Sequence, residues 1–492
     1  RNLLPVHALR PVPPAHPPRR EPRPRRLPGA GLFLVLLLAG FLVSGAAAQT
    51  VPADTARDPA AIVTLTLGDA VRLALTRSLD LQRAGYQVDL SELDRQGAAA
   101  AGQPELSLSV GPTLTYARGY VLGADSTGPA LGTDGDASAG LSASASLSLP
   151  LFDGGARRAS RQAAEQALEA SRRSRDRTAE DVASLAASQY VQVLQFAALV
   201  EVEETNLGAD RALLERVQAE YDVGNRSLGD VLQQQASIAQ GEQRLATARR
   251  NEAVARLSLR QTLRLPPGTP LALAPVADTL LAAPLAGTDT QTLVARALAE
   301  RADLDAQAAL IEAARFDVAG ARTGRSPSLS LGSTAGTSAS TLDDERGIAR
   351  QLADVNPRAS VGVTLSVPIL DQGRTRRAVE RAGVLLSDAE AVLELRRLQV
   401  AADVETAVLD VEAATARLAA AAEGVAAARE ALAATEARYS VGAGIFLDVL
   451  DARRTLVQAE TDVTTARFDL LLGRIAVAYQ TGLLGDLLVA LD

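Results

Sequence analysis

The chain reads Leu149-Pro150-Leu151-Phe152-Asp153-Gly154-Gly155, and 218 residues later it reads Val367-Pro368-Ile369-Leu370-Asp371-Gln372-Gly373. The register then holds without a gap. Tyr221-Asp222-Val223-Gly224 returns as Tyr439-Ser440-Val441-Gly442, Asp230-Val231-Leu232 as Asp448-Val449-Leu450, and Thr247-Ala248-Arg249 as Thr465-Ala466-Arg467. Upstream the offset is 223, aligning Pro104-Glu105-Leu106-Ser107-Leu108 with Pro327-Ser328-Leu329-Ser330-Leu331, and Val71 with Val294. Ala-rich helices match one another at apolar positions by chance, but not at Pro, Gly and Tyr in one register. The sequence is therefore a tandem duplication of units of roughly two hundred residues.

Outward from each copy the period changes. Apolar residues step by four and three through Val400, Val404, Ala407, Val411, Ala414, Leu418, Ala421, Val425, Ala428 and Leu432, then Thr435 and Tyr439. The first repeat carries the same seam at Val182, Ala186, Val193, Phe196, Val200, Leu207, Leu214, Val217 and Tyr221. This is a heptad pattern. No Pro interrupts 154–222 or 372–440, so each stretch is expected as one helix of about 100 Å at 1.5 Å per residue. A Gly-containing turn follows each, then a second helix over 230–264 and 448–480; another helix is expected upstream over 67–101 and 289–323. These are half as long, so two stacked end to end match one long helix. The pattern implies antiparallel coiled helices.

Between the helices, 106–116 (LSLSVGPTLTY), 141–149 (LSASASLSL), 329–337 and 359–367 (ASVGVTLSV) alternate apolar with small polar residues. Their length is what a tilted strand needs to cross a bilayer; a soluble hairpin alternates in the same way. The stretches 117–140 and 338–358 read as long polar loops. Pro150 and Pro368 read as strand ends, and Gly154, Gly155 and Gly373 as the residues that let the backbone turn into a helix. Four strands do not close a membrane barrel, since bacterial ones start at about eight, and open edges in lipid leave backbone groups unpaired. If the strands span a membrane, the chain must oligomerise: two copies are the minimum, and three give twelve strands. The expected fold class is mainly α, with long antiparallel coiled-coil helices and four strands per chain contributed to a membrane β-barrel.

Composition removes several chemistries. All 50 basic residues are Arg, Cys, Met and Trp are absent, and the two histidines, His7 and His16, lie in a Pro-rich N-terminal stretch. That stretch carries Arg19, Arg20, Arg23, Arg25 and Arg26, then the uncharged run GLFLVLLLAGFLV over 31–43, then Ser44-Gly45-Ala46-Ala47-Ala48-Gln49. It reads as an export signal over 1–48 with a cut after Ala48; a bilayer anchor, which needs about 20 apolar residues, is the second reading. Losing 1–48 takes seven Arg and one Glu from 50 basic and 58 acidic residues, leaving a net charge of −14 with no imidazole, thiol or amine side chain. Cys/His metal sites, Cys or Lys nucleophiles and a His base are then excluded, no metal or cofactor is expected, and an acidic exported chain is a poor nucleic-acid binder. The remaining organisation is a segment over 49–66, a first repeat over 67–264, a linker over 265–288, a second repeat over 289–484 and a tail over 485–492.

With the repeat and the export signal, the duplicated strand-to-helix turn and the helix-tip motif Tyr439-Ser440-Val441-Gly442 followed by Asp448-Val449-Leu450-Asp451 resemble the TolC-like outer-membrane efflux proteins across nearly all of 67–484. The resemblance implies a homotrimer with a twelve-stranded barrel in outer-membrane lipid and a periplasmic helical tunnel. It also implies docking onto a periplasmic adaptor and an inner-membrane RND or ABC transporter, in a two-membrane bacterium. By resemblance, Asp448 and Asp451 match an aspartate ring at the periplasmic constriction. Spaced three apart they share a helix face, and such a ring favours cations; helix N-terminal complementation and plain solvation remain the alternative. Tyr439 and Asp230 match a tip latch whose Arg position holds Gly444 here, and Arg226, its repeat-mate, offers a substitute. Tyr439 and Tyr221 also end the heptad seams, which fits a packing role equally. Gly224, Ser227, Leu228, Gly442 and Ile445 fall in the region that matches adaptor docking, while Gly224 and Gly442 also suit helix ends. The reading is a passive duct, not an enzyme. A secreted structural coiled-coil protein explains the heptads but not the alternating segments, and a carboxylate-pair glycosidase requires a concave site.

Overall fold

The computed structural model describes residues 63–125, 128–276, 289–341 and 347–484, with the backbone alone over 117–136. The expected export signal, the segment 49–62, the linker part 277–288 and the tail 485–492 lie outside the described residues.

Each repeat opens with a broken helix, then a hairpin, then the long helix. The helices α1 (Leu67–Arg77) and α2 (Leu79–Ala100) meet at Ser78, and the hairpin β2 (Glu105–Asp125) and β3 (Gly128–Phe152) leads into α3 (Ala156–Asp222) and α4 (Leu228–Thr262). The second repeat runs α5 (Thr290–Glu300), α6 (Ala302–Arg322), β5 (Ser328–Ser340), β6 (Arg358–Ser366), α7 (Arg374–Ser440) and α8 (Phe446–Gln480). Both long helices have 67 residues, about 100 Å.

The single upstream helix expected over 67–101 and 289–323 is in fact two. The breaks fall at repeat-equivalent Ser78 and Arg301, both extended at ψ 129 and 123. Neither is Gly or Pro, so the apolar period runs through them. Ser78 caps α2 by accepting from the Leu81 N–H, and Arg301 pairs with Asp303 at 3.0 Å and donates to Gln480 at 2.9 Å.

Most of the heptad seam is buried: Val400 and Val404 are 1% exposed and Ala186 and Val193 0%. Half-length helices lie antiparallel along the long ones. On α3, Ser91 of α2 bonds Ser171, and Arg244 and Arg249 of α4 pair with Glu203 and Glu204. On α7, Gln307 of α6 donates to the Ala389 carbonyl, and α8 pairs through Glu460 with Arg429.

Strands β2, β3, β5 and β6 form one antiparallel sheet in that order. The register sets Leu106 opposite Leu147 and Leu329 opposite Leu365, so one face is apolar. That face is bare, with Leu106, Leu108, Leu114 and Val361 more than 70% exposed. The opposite face carries small hydroxyls, such as Ser109 and Ser144 at 2.9 Å.

Two expectations are corrected here. The stretch 117–140 is no loop, because β2 and β3 stay paired out to Asp125 and Gly128, while β5 meets β3 only from Gly140 inward. The hairpin thus runs about 40 Å past β5 at 3.4 Å per residue. Alternation in sequence is not the same as backbone pairing, and the Gly-rich stretch 117–136 does not alternate apolar with polar residues. Nor does Pro150 end its strand: it sits in β3 at an irregularity between Pro150 and Phe152, a place where a residue without an N–H is tolerated. Pro368, by contrast, lies beyond the end of β6.

Part of the linker also has structure. β4 (Leu271–Leu273) pairs in parallel with β1 (Val63–Leu65), against the core cluster around Tyr190, Val191 and Leu259.

Candidate functional site

Two places concentrate the residues singled out in the sequence: the turns from sheet to long helix and the turns at the far helix ends. At the first, the backbone must reverse within three residues. Gly154 and Gly155 take φ +69 and +97, and Gln372 and Gly373 take φ +53 and +74. Neither long helix has a side-chain cap at its N-cap glycine; an aspartate two residues earlier does that work. Asp153 accepts from the N–H groups of Gly155 (3.1 Å) and Arg157 (2.9 Å) and from the Arg157 Nε (2.8 Å). Asp371 accepts from the N–H groups of Gly373 and Thr375, both at 2.9 Å. Sequence reasoning assigned the turn to Pro and Gly and missed these carboxylates, although the recurring Asp-x-Gly was their signal.

The hydrogen bonds from Thr375 and Gly373 hold the Asp371 carboxyl down at about 2, below its ordinary value near 4. A depressed folded-state pKa gives stability that is present above the unfolded value and fades as pH falls from about 4 towards about 2. Asp371→Asn is therefore expected to melt below wild type at pH 7, with the gap closing under pH 3; thermal melts across that range check it.

At the far ends, the turn 223–227 joins α3 to α4 and the turn 441–445 joins α7 to α8. Gly224 and Gly442, at φ +79 and +76, end their helices in the left-handed conformation that suits Gly. Ser227 caps α4, its Oγ accepting from the Asp230 N–H at 3.2 Å. Leu228, Val441 and Ile445 are exposed, at 52, 78 and 61%.

Between the turns lies an apolar cluster drawn from all four helices: Leu213, Val217, Val231, Tyr439, Phe446, Val449 and Leu450. Tyr439 is 9% exposed while its repeat-mate Tyr221 is 37%, so only one of the two seam-ending tyrosines packs inward. Phe446 meets its ring with centroids 5.4 Å apart, and the Arg226 guanidinium lies over it at 3.8 Å, a cation–π contact. Arg226 also pairs with Glu220 and donates to the Tyr439 carbonyl at 3.3 Å.

Burial pushes the Tyr439 phenol above its ordinary value, with Asp230 and Glu220 adding to the shift against the pull of Arg226. The phenol oxygen makes no hydrogen bond of good geometry among the described residues, so Asp230 acts on it mainly as a nearby charge. The structure thus brings Tyr439, Arg226 and Asp230 together, and adds Glu220 and Phe446, which the sequence pattern did not single out.

Asp448 and Asp451 stand apart from this cluster. Both are exposed, on the side of α8 away from buried Val449 and Leu450. Asp448 lies in the first turn of α8, whose N-cap has no side-chain bond, a position where a carboxylate complements the helix dipole. Asp451 reaches Arg454 at 3.4 Å. Among the described residues no group of acidic or imidazole side chains has metal-binding geometry.

Comparison with known proteins agrees with this architecture. The chain is 27% identical over 403 residues to the pyoverdine export outer membrane protein OpmQ of Pseudomonas aeruginosa, covering 80% of each chain. It is 26% identical to the alkaline protease secretion protein AprF of the same species, covering 69% of each. Among solved structures, CusC superposes with a TM-score of 0.71 at 18% identity, over 84% of this chain and 91% of CusC, a likeness of fold. The model of the family described as outer membrane efflux protein matches residues 70–263 and again 293–482, one match per repeat, and the chain belongs to that family.

Proposed function

We propose that three copies of this chain form a passive duct through the outer membrane. In this reading twelve strands close a barrel in lipid, the long helices continue it as a periplasmic tunnel, and the helix tips gate it. One observation carries the reading: a sheet with a bare apolar face and two unpaired edges, at β2 and β6, joined by tight turns to 67-residue helices. An apolar sheet face of this extent needs lipid or protein against it, and unpaired edges in lipid need a neighbour. A secreted coiled-coil protein has no use for either.

The energy for export comes from a partner in this reading. A periplasmic adaptor docks on the exposed tip residues Gly224, Ser227, Leu228, Gly442 and Ile445, and links the duct to an inner-membrane RND or ABC transporter. Names of relatives support both small-molecule and protein cargo, pyoverdine for one and alkaline protease for the other. At the gate, Tyr439, Arg226 and Asp230 hold the tips closed, Arg226 serving in place of the Arg absent at Gly444. Threefold symmetry gathers Asp448 and Asp451 into a ring of carboxylates that passes cations in preference to anions.

Single-channel conductance in a planar bilayer tests this. Wild type is expected to give small cation-selective currents, and Asp448→Ala with Asp451→Ala to give currents several-fold larger and less selective. A water-soluble monomer without pores in either form returns the chain to the structural coiled-coil class.

A further inference from the structure

Five arginines stand at the electrostatically unfavourable end of the two long helices. A helix N-terminus carries partial positive charge and disfavours cations. Yet Arg157 and Arg158 lie in the first turn of α3, and Arg374, Arg376 and Arg377 in that of α7, with no acidic residue in either turn. Asp153 and Asp371, just upstream, accept mainly from backbone N–H groups, and of the five guanidiniums that of Arg157 alone donates to them among the described residues. Arg158 and Arg376 are repeat-mates, 218 residues apart, and both are exposed. Arg376 pairs with Glu380, but these side chains are 73 and 60% exposed and such a pair contributes little. Arg158, Arg374, Arg381 and, at the end of α6, Arg322 are exposed and have no ion pair or side-chain hydrogen bond among the described residues.

All of these residues fall at one end of the sheet. The junction stretches 151–161, 322–325 and 366–381 hold nine Arg against three acidic residues, in a chain with 58 acidic and 50 basic residues. At the other end, 117–136 and 341–357 hold seven acidic residues against three Arg. The charge therefore changes sign from one end of the sheet to the other. Beside the basic end the apolar side chains are bare, with Phe152 52% exposed, Ile369 95% and Leu370 89%. An apolar rim with guanidiniums one or two helical turns beyond it matches the edge of a lipid layer, where acyl chains give way to headgroups. Arg is long enough to lay its stem on the first and its charge in the second. Phosphate is the complementary group, since a guanidinium binds it through two parallel N–H donors, and a surface of anionic lipid attracts clustered Arg. An acidic soluble partner has no use for the apolar rim.

We propose that these arginines form a belt that binds the phosphates of anionic phospholipid in the leaflet at the helical end of the sheet, so that the protein gathers phosphatidylglycerol-type lipid around itself. The proposal rests on reading the sheet as membrane-spanning. Arg158 and Arg376 are the duplicated members of the belt, with Arg322, Arg374 and Arg381 beside them. Lipid phosphate supplies the negative charge that the first turns of α3 and α7 lack.

The chain has no Trp, so Leu370→Trp places a single fluorophore on the apolar rim. This parent protein is reconstituted in phosphatidylcholine vesicles containing either brominated phosphatidylglycerol or brominated phosphatidylcholine as quencher. Brominated phosphatidylglycerol is expected to quench several-fold more strongly at low mole fraction, and high salt to reduce that preference. Arg158→Gln, Arg374→Gln and Arg376→Gln together should bring the two lipids to parity. The same variant should melt in detergent at or above the parent, because cations leave helix N-termini. Equal quenching by both lipids in the parent, or a preference that survives the three substitutions, overturns the belt. A clear fall in melting temperature also overturns it, by assigning these arginines to the fold. Sodium phosphate should lower the preference no more than sodium chloride of equal ionic strength; a phosphate-specific loss would make a soluble anion the occupant and overturn the lipid assignment. If neither brominated lipid quenches, the sheet does not lie in lipid, and the membrane reading fails together with the belt.

Discussion

Replacing Gly154 with Gln, the residue that stands at the same place in the second repeat, is expected to cost about 2–5 kcal/mol, combining overpacking and left-handed strain. Both positions take a left-handed backbone, φ +69 at Gly154 and +53 at Gln372, so conformation alone does not separate them. Their surroundings do. A Cβ on Gly154 would lie 2.2 Å from the Cβ and 2.7 Å from the Oγ of Ser326. The Ser326 Cβ cannot swing aside without its backbone, so the turn entering β5 must shift and disturb the pairing of β5 with β3. Gln372 is exposed and meets no such neighbour. Gln372→Gly is accordingly expected to change stability by less than about 1 kcal/mol, relief of strain offsetting the added freedom of the unfolded chain. Thermal melts of the two variants in detergent check the contrast. Recovery of much of the Gly154→Gln loss by Ser326→Gly would locate the cause, and equal tolerance at 154 and 372 would refute it.

That asymmetry marks the boundary of what the repeat makes legible. Periodicity and register are properties of the local chain, so the long helices over 156–222 and 374–440, the four strands and the tight turns were readable from spacing alone. Properties that depend on what packs opposite were not. Nothing local distinguishes Tyr439 from Tyr221, yet one is buried under Phe446 and Arg226 while the other is largely exposed. The helix breaks at Ser78 and Arg301 escaped because neither residue disfavours helix strongly and the apolar period continues past them. The outer half of the β2–β3 hairpin escaped for a related reason: its Gly-rich sequence has no apolar–polar alternation to read, although its backbone is paired. At the tips, resemblance supplied Asp230, Tyr439, Asp448 and Asp451, and the repeat offset supplied Arg226 as the mate of Gly444. Glu220 and Phe446 became visible only with the helices in place. The linker was opaque because β4 is three residues long and pairs with a strand about two hundred residues away, a partner that no short-range pattern announces.

Tyr190 is where that distant pairing is anchored, and its removal is the other large effect expected. It is fully buried on α3, among Val191, Val193 and Leu259, with its hydroxyl 2.6 Å from the Ala274 carbonyl and 3.0 Å from that of Leu65. Burial pushes the phenol up to about 12, so it stays protonated as the donor. The Leu65 carbonyl also receives the Ala274 N–H at 3.0 Å, so the Ala274 carbonyl depends more on the phenol. Tyr190→Phe keeps the ring and strands that acceptor, a loss of about 1–3 kcal/mol. Tyr190→Ala also empties the ring's volume in the core, about 3–5 kcal/mol. The two should differ in kind as well as size: Phe should loosen the β1–β4 pair locally, seen as faster protease cleavage within 265–276, with a small fall in melting temperature. Ala should lower the melting temperature of the helical region as a whole. Equal effects of the two substitutions would mean that the hydroxyl carries the whole contribution and that the core around it repacks without the ring.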